Sequence, residues 1–259
     1  MSKKKTKALV LIVEGSTDET LFSALLQDHF EAKGIKIFPY RTDIFVPQRT
    51  DDPNKDIREK IRDFVIRELE RQQISQTHVL GIIHIGDTDG TFIPDNNIIV
   101  SSQASSTRKT QYSDTHIHVV DDGQMGNIRT RNRQKAENHR RMICIDKITI
   151  SRKEIPYMHF FMSCDTDHLI FNLRNLSLKD KEVLMDEFTD KNDSDAIKTL
   201  LEKHMDICPN GLDPFRYTWD QIQLGVNSLV RKTNTPLLFS FIERLLLSDE
   251  QTTDAIQKV

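Results

Sequence analysis

The sequence predicts an α/β fold built on a parallel sheet, and three features of its patterning support this prediction. Two continuous apolar runs of strand length, Lys7 to Val13 and His78 to Ile85, are typical of strands buried on both faces of a sheet. Apolar residues at helical spacing fill the stretches from Thr17 to Glu31 and from Asp56 to Arg71. Because strands and helices alternate, we expect parallel strands joined by right-handed crossovers.

Further elements are predicted along the rest of the chain. A short second strand, Ile35 to Tyr40, lies between the two helices, and Tyr157 to Met162 is predicted as a fourth strand. The polar segment from Gly90 to Gly126 contains a serine-rich stretch and a small strand signal, so we interpret it as an insertion or a mobile flap. Helices are predicted at Asn127 to Ile145, Asp167 to Leu176, Asp180 to His204 and Asp220 to Leu247.

The length of 259 residues suits one substantial core with an appendage. We predict a catalytic domain over residues 1–176, with the polar insertion at about 90–126, and a helical C-terminal extension over residues 177–259. The last predicted helix carries an apolar stripe that is expected to form core or the face of a homodimer. It comprises Leu237, Leu238, Phe241, Ile242, Leu245 and Leu246.

Composition narrows the class of protein. Charged residues make up 29% of the chain, and the longest apolar runs fall far below the roughly 20 residues that a membrane-spanning helix needs. The basic start leads straight into a strand-like run, without the apolar segment of a signal peptide, and three widely spaced cysteines predict neither a zinc cluster nor a disulfide framework. We therefore expect a cytoplasmic protein that does not contact a membrane.

Three carboxylates are expected at one edge of the predicted sheet. Glu14 follows the first strand, and Asp87 and Asp89 follow the third. The carboxyl ends of parallel strands meet at the same edge, and clustered carboxylates repel one another unless a cation joins them. Hard oxygen ligands of this kind suit Mg²⁺ or Mn²⁺, which can orient a water and neutralise charge at a phosphate.

The same residues carry a resemblance to a known family. The stretch LIVEGSTDE resembles the Toprim signature, in which an apolar strand ends in Glu-Gly, and GIIHIGDTDG resembles the Asp-x-Asp that closes the third Toprim strand. The resemblance covers roughly residues 7 to 90, and residues 127 to 163 can supply the remaining helix and strand. It implies a Toprim-like, parallel four-stranded sheet flanked by helices, with a general base or acid at Glu14 and metal ligands at Asp87 and Asp89.

The resemblance also suggests a function. Toprim proteins include topoisomerases, bacterial primases, recombination mediators, small ribosomal RNA maturases and overcoming-lysogenization-defect nucleases. This chain lacks space for the DNA gate of a topoisomerase or the additional modules of a primase. It looks like a stand-alone, Mg²⁺-dependent endonuclease, similar to the toxic effectors of bacterial phage defence, which implies a regulatory ATPase partner. RNA, including transfer RNA, and DNA both remain open as substrates.

Further candidate groups follow the fourth predicted strand. Asp165 or Asp167 could hold a second metal, and His168 could contact a phosphate or assist proton transfer. Ser163 ends the same strand. An ordinary helix N-cap explains these residues equally well.

A basic run is the predicted nucleic acid contact, because the net charge of −3 requires a local patch. In a helix, three of its arginines share one broad face, while Arg131 and Lys135 share another, so the run could follow a phosphate backbone. Arg108 and Lys109 could add to the patch. The run comprises Arg129, Arg131, Arg133, Lys135, Arg140 and Arg141.

Two alternatives remain open. Asp87-Thr88-Asp89 after an apolar strand also resembles the nucleophile motif of haloacid-dehalogenase-type phosphatases, with Ser163 as the later hydroxyl residue. That interpretation lacks a convincing later acidic pair and leaves Glu14 unexplained. The other alternative is a non-catalytic Toprim scaffold, in which the acidic cluster binds a partner.

Overall fold

The computed structural model describes residues 7–42, 44 and 55–257; the basic residues 1–6 of the predicted N-terminal segment lie outside this range. The main sheet confirms the α/β class and is mixed but mostly parallel. In chain order, the strands are β1 (Lys7–Val13), β2 (Ile35–Arg41), β3 (Val79–Asp87), β4 (Ile98–Val100), β5 (Thr110–Tyr112), β6 (Ile117–Val119), β7 (Lys147–Ile150), β8 (Lys153–Ser163) and β9 (Lys232–Thr233).

The main sheet has the order β2-β1-β3-β8-β7, and its first four strands run parallel. Ile12 pairs with His84 across β1 and β3, and Asp87 pairs with Met162 across β3 and β8. β7 runs antiparallel to the first half of β8, and β9 pairs antiparallel with its end. This register brings the carboxyl ends of β1, β3 and β8 to one edge.

Helices cover both faces of this sheet. In chain order they are α1 (Ser16–Glu31), α2 (Ile57–Arg71), α3 (Asp122–Ile143), α4 (Thr166–Phe171), α5 (Leu178–Lys191), α6 (Ser194–Glu202), α7 (Pro214–Ile222) and α8 (Leu237–Gln257). Side chains alternate across β1, so Leu9 and Leu11 pack with α1 and the C-terminal helices, whereas Val10 and Ile12 pack with α2. Each such fully buried aliphatic side chain stabilises the fold by about 1.5–3 kcal/mol.

The C-terminal helices differ in length from the sequence prediction. The predicted helix from Asp180 to His204 is two helices, α5 and α6, because Asn192 is extended and the Asp193 side chain caps α6. The predicted helix from Asp220 to Leu247 was also wrong, since α7 ends at Ile222 and α8 begins at Leu237. The helix predicted from Asp167 ends at Phe171, where Asn172 takes a left-handed conformation with φ of 57°.

The predicted polar insertion contains regular structure. Strands β4, β6 and β5 form a small three-stranded sheet, and Ile98, Ile117 and Val119 bury its apolar face with Leu229. The helix that follows starts at Asp122, five residues before its predicted start, because the Asp121 side chain caps it by accepting a hydrogen bond from the amide of Gln124. Among the described residues, no helix is long and apolar enough to cross a membrane.

Candidate acidic active site

Glu14 and Asp87 meet at the carboxyl edge of the sheet. Glu14 follows β1 and Asp87 ends the neighbouring parallel strand β3. The Glu14 Oε1 atom accepts a hydrogen bond from the backbone amide of Asp87 at 2.9 Å. Two strand ends that are distant in sequence are therefore tied directly together, as the sequence predicted from their positions.

Asp89 lies in a tightly held turn beyond β3. Its φ is 48° and that of Gly90 is 66°, so the chain makes two successive left-handed residues. The Asp89 amide donates to the Cys164 carbonyl at 2.8 Å, and Arg131 Nη2 donates to the Asp89 carbonyl at 3.0 Å. These bonds fix the Asp89 carboxylate on the same side of the edge as Glu14.

Lys135 brings a positive charge into this acidic cluster. Its Nζ lies 2.6 Å from Asp89 Oδ2 and 3.3 Å from each carboxylate oxygen of Glu14. The lysine side chain is only 5% exposed, against 12% for Glu14 and 28% for Asp89. Burial alone would lower the pKa of Lys135, but the charges of Asp89 and Glu14 outweigh burial and raise it, so the ammonium stays charged. Burial raises the pKa of Asp89 and the charges of Lys135 and Arg131 outweigh it, lowering that pKa overall.

The pKa of Asp87 is shifted in the opposite direction to that of Asp89. Burial raises the pKa of its carboxyl well above the usual value, and the charges of Asp18, Glu14, Asp89 and Asp165 raise it further. Asp87 also forms no ion pair with a described residue. This carboxyl group is therefore the one whose ionised form is least compensated, and a proton or a cation would stabilise it.

Asp18 belongs to the site although the sequence analysis did not select it. Its side chain is buried, accepts a hydrogen bond from the Gly15 amide at 2.8 Å and is hydrogen-bonded by the Thr166 hydroxyl. Asp18 thus joins the turn after β1 to the start of α4. Its position four residues after Glu14, in the first turn of a predicted helix, was the available signal, but an acidic residue there is also an ordinary helix-start residue.

The groups after β8 form a second, neighbouring cluster. Asp165 caps α4 by accepting from the His168 amide at 2.8 Å, and its other oxygen lies 3.2 Å from Lys181 Nζ. Lys181 also forms an ion pair with Asp167. Asp165 and Asp167 therefore share a lysine, which pairs with the two carboxylates predicted to hold a second metal.

His168 is buried in α4, the short helix that follows β8. Its Nδ1 accepts a hydrogen bond from the Cys164 amide at 3.3 Å, and the residue is 1% exposed. Burial, with the charges of Arg174 and Arg231, lowers the pKa of His168 to about 4, so the ring is neutral at pH 7. The observed geometry makes His168 a support for the loop, whereas the predicted phosphate contact requires an accessible ring.

The predicted basic run on α3 divides into three parts. Lys135 and Arg131 point into the site, and Arg131 Nη1 also donates to the Tyr112 hydroxyl at 3.1 Å. Arg129 and Arg133 both contact Asp95, through its carbonyl and its carboxylate respectively. The remaining two arginines of the run, Arg140 and Arg141, are exposed beyond the site.

The two basic residues of the insertion lie apart from this run. Arg108 donates to the carbonyl of Asn175, and Arg108 and Lys109 are both exposed.

Three buried histidines connect the site to the middle of the sheet. His139 Nδ1 lies 2.8 Å from His159 Nε2, and His159 Nδ1 lies 3.2 Å from the carbonyl of His84. Burial lowers the pKa of all three rings, that of His159 to about 3, and the positive charge of Lys135 lowers each further. The rings are neutral at pH 7, so Lys135 is not opposed by a second buried positive charge. Asn132, Lys135 and His139 lie at spacings of three and four residues and so share the inward face of α3.

The carboxylates of Glu14, Asp87 and Asp89 offer the oxygen ligands that Mg²⁺ prefers. Within the described residues, no three His, Cys, Asp or Glu side chains form a group that could surround a metal ion. The ammonium group of Lys135 contacts both Glu14 and Asp89. Mg²⁺ is, however, commonly held by one or two carboxylates, with waters and substrate phosphates completing its shell. Asp87, with a neighbouring carboxylate, fits this requirement by the chemistry of its oxygens and by its position beside Glu14.

Comparisons with known proteins add no assignment: a scan against family models gave no match, and neither did searches of curated proteins and of solved structures. The resemblance to Toprim proteins therefore depends on the two motifs and on where their residues lie.

Proposed function

We propose that the chain is a Toprim-like, Mg²⁺-dependent nuclease that cleaves phosphodiester bonds of RNA or DNA. The observation that carries this proposal is the convergence of Glu14, Asp87 and Asp89 at neighbouring strand ends around the buried ammonium group of Lys135. Such a cluster combines three carboxylates, only partly offset by one lysine, with a fixed positive group. Both are useful for binding and cleaving a phosphodiester.

Lys135, Glu14 and Arg131 have different roles in the proposed reaction. Lys135 provides a fixed, buried positive charge that offsets the negative charge of Asp89 and Glu14 beside the position of the phosphate. Glu14, held by the Asp87 amide, is the carboxylate best oriented to accept a proton from an attacking water. Arg131 keeps the Asp89 turn in place through its carbonyl.

Asp87 and Glu14 are the carboxylates that would hold the metal. When Mg²⁺ or Mn²⁺ is bound, it supplies positive charge at the phosphate and lowers the pKa of a water molecule. The raised pKa of Asp87 in the absence of a cation is consistent with this role, because the charge of a cation would lower that pKa again.

The experiment is a cleavage assay with the purified chain. Labelled transfer RNA, single-stranded RNA and plasmid DNA are incubated with Mg²⁺, Mn²⁺ or EDTA, beside the variants Glu14→Gln, Asp87→Asn and Asp89→Asn. The control is Glu187→Gln, which neutralises an exposed carboxylate on α5 that pairs with Lys191. We expect metal-dependent cleavage that falls by about a hundredfold or more in each site variant and is unchanged in the control.

Two outcomes would count against the nuclease. Cleavage that persists in all three site variants would identify a contaminating enzyme. Absence of cleavage on every substrate would favour the non-catalytic scaffold.

A phosphatase is the second candidate, favoured by one observation. Lys135 lies 2.6 Å from Asp89, and Ser163 ends the strand beside Asp87, which is similar to the aspartate, hydroxyl and lysine groups of haloacid-dehalogenase-type enzymes. The Ser163 hydroxyl, however, donates to the carbonyl of Asn227 at 3.3 Å. Turnover of a small phosphomonoester that survives Glu14→Gln but not Asp87→Asn would select the phosphatase.

A further inference from the structure

Two adjoining cavities lie along the C-terminal half of α3, outside the acidic site. The first, of about 380 Å³, lies between α3 and the start of α2. The second, of about 360 Å³, lies between the turn after α3 and the helices α7 and α8. Cys144 and Ile145 line both cavities, so the two lie side by side. None of the site carboxylates lines either of them.

Five arginines and four acidic residues line this groove. Three arginines belong to the first cavity and two to the second, and all five are exposed. The guanidinium group presents a planar fork of donors that matches a phosphate, and it also stacks on flat rings. We call this surface the arginine groove; its residues are Arg58, Arg140, Arg141, Arg216 and Arg244.

Three of the four acidic residues of the groove are already engaged. Asp56 and Asp213 cap α2 and α7, accepting from backbone amides at 2.9 and 3.1 Å, and the positive ends of those helices offset their charge. Glu137 pairs with Arg141 at 2.9 Å. The carboxylate of the fourth acid, Asp146, is exposed, while its backbone carbonyl accepts from the amide of Tyr157.

Most arginines of the groove, by contrast, form no ion pair with a described residue. Arg58, Arg216 and Arg244 form no ion pair among the described residues. Arg140 donates to the neutral side chain of Gln223 at 3.0 Å. The groove therefore presents positive charge on a chain whose net charge is −3.

The groove begins close to the acidic site. Arg140 lies five residues after Lys135 on α3, which is about 7.5 Å along the helix axis. Its guanidinium lies 5.8 Å from the ring of Phe92, which follows Asp89 by three residues. Arg140 thus connects the groove to the segment that follows the Asp89 turn.

We propose that the arginine groove binds the phosphate backbone of a single-stranded nucleic acid whose scissile bond lies at the acidic site; this inference builds on the proposed nuclease function. The other arginines of α3 are unsuited to this task, since Arg131 supports the Asp89 turn and Arg129 and Arg133 contact Asp95. A lining of arginines contacts phosphates without reading base edges, so the groove confers affinity rather than sequence preference.

The test measures binding in EDTA, where metal-dependent cleavage does not occur. The probe is a fluorescein-labelled 20-nucleotide oligouridine, and binding to the full chain is followed by fluorescence anisotropy at several salt concentrations. The groove variant is Arg58→Gln/Arg244→Gln, with one substitution in each cavity. The matched control is Arg67→Gln/Lys191→Gln, which removes the same charge from exposed residues paired with Glu68 and Glu187.

We expect the groove variant to bind at least tenfold more weakly and the control less than twofold. The slope of log K against log salt should fall by about 1.4 in the groove variant, since two phosphate contacts are lost from a single strand. Equal weakening in both variants, or none in either, would overturn the groove. Equally tight, groove-dependent binding of a labelled polyglutamate would also overturn it, in favour of an acidic protein partner.

The assay distinguishes this inference from the nuclease proposal. Groove-dependent binding without cleavage in Mg²⁺ would refute the nuclease while leaving a nucleic acid-binding surface. Cleavage that continues unaltered in the groove variant would refute the groove alone.

Discussion

The ammonium group of Lys135 lies 2.6 Å from the carboxylate of Asp89 and 3.3 Å from both oxygens of Glu14. One helix residue therefore neutralises carboxylates from two separate strand ends. Because Lys135 is 5% exposed, this interaction belongs to the interior and has the energetics of a buried ion pair. The acidic site and the position of α3 on the sheet are consequently coupled.

Replacing Lys135 with methionine is expected to destabilise the chain by about 3 kcal/mol at pH 7, because two carboxylates lose their partner. The raised pKa of Lys135 keeps the lysine charged at that pH, so the full effect is present. The loss should shrink towards pH 4 as the carboxylates become protonated. Urea unfolding, followed by the fluorescence of the single tryptophan, Trp219, measures it.

Millimolar Mg²⁺ should restore part of the stability of the Lys135→Met variant, and more than it adds to wild type, because a ligand that binds only the folded state stabilises it. Equal stability of variant and wild type at pH 7 would contradict the coupling between α3 and the strand ends.

Asp87→Asn should have the opposite effect on stability. The pKa of Asp87 is raised in the folded chain, first by burial and then by four acidic neighbours, so its ionisation favours unfolding as pH rises above the ordinary value of 3.8. Without divalent cations, the variant should be more stable at pH 7, by on the order of 1 kcal/mol, and the difference should vanish below pH 4. Thermal unfolding at both pH values, in EDTA, tests this.

Mg²⁺ should reduce this advantage, because it stabilises only the chain that retains the carboxylate. A variant that is less stable than wild type at pH 7 in EDTA would show that the Asp87 carboxylate makes a compensating interaction.

The placement of Glu14 and Asp87 at one edge could be predicted from the sequence because it follows from a parallel sheet. Two apolar runs predicted parallel strands, and parallel strands bring their carboxyl ends to one edge; the structure adds that these two strands are neighbours. Asp89 followed from the same reasoning. The positions of strand ends follow from hydrophobic periodicity and from the alternation of strands and helices, and both can be inferred from a single sequence.

The position of Lys135 could not be predicted in the same way. A helix rich in charge has several equivalent faces, and the inward face of α3 is itself polar, with Asn132, Lys135 and His139 buried. Apolar periodicity therefore does not indicate which face of α3 points inward. The residues that pack against the helix determine it. The breaks between α5 and α6 and between α7 and α8 were missed for a related reason. They depend on local caps such as Asp193 and on loop contacts within otherwise helical patterns.

The buried histidines should make the chain sensitive to acid. His159 has a folded pKa of about 3, well below its ordinary 6.5, so the unfolded chain takes up a proton first as pH falls. Stability is therefore present above pH 6.5 and is lost as pH drops towards 3. His159 alone should cost about 2 kcal/mol between pH 7 and pH 5.

His159→Gln removes this proton uptake, although it also weakens the contact to His139. The variant should be less stable at pH 7, but its stability should fall less steeply to pH 5, by about 2 kcal/mol. Urea unfolding at the two pH values separates the two effects, since only the change in stability between pH 7 and pH 5 reports on protonation. An unchanged slope would mean that His159 becomes protonated in the folded chain.

Gly90 should be the glycine on which the site depends most directly. Its φ is 66°, and an added Cβ would lie 2.6 Å from Leu229 Cδ2 and 3.0 Å from Ile117 Cδ1. Gly90→Ala therefore combines backbone strain with a clash, and we expect a loss of about 2–3 kcal/mol in the free energy of unfolding. The Asp89 turn would have to move, so cleavage should fall further than stability alone explains.

The matched control is Gly126→Ala on α3, where nothing lies within 4 Å of the new methyl group and alanine should stabilise the helix by about 0.5–1 kcal/mol. Unfolding and cleavage are measured for both variants under the same conditions. Equal stability of the two would show that the turn after β3 tolerates a side chain and that the close packing of Leu229 does not fix Asp89.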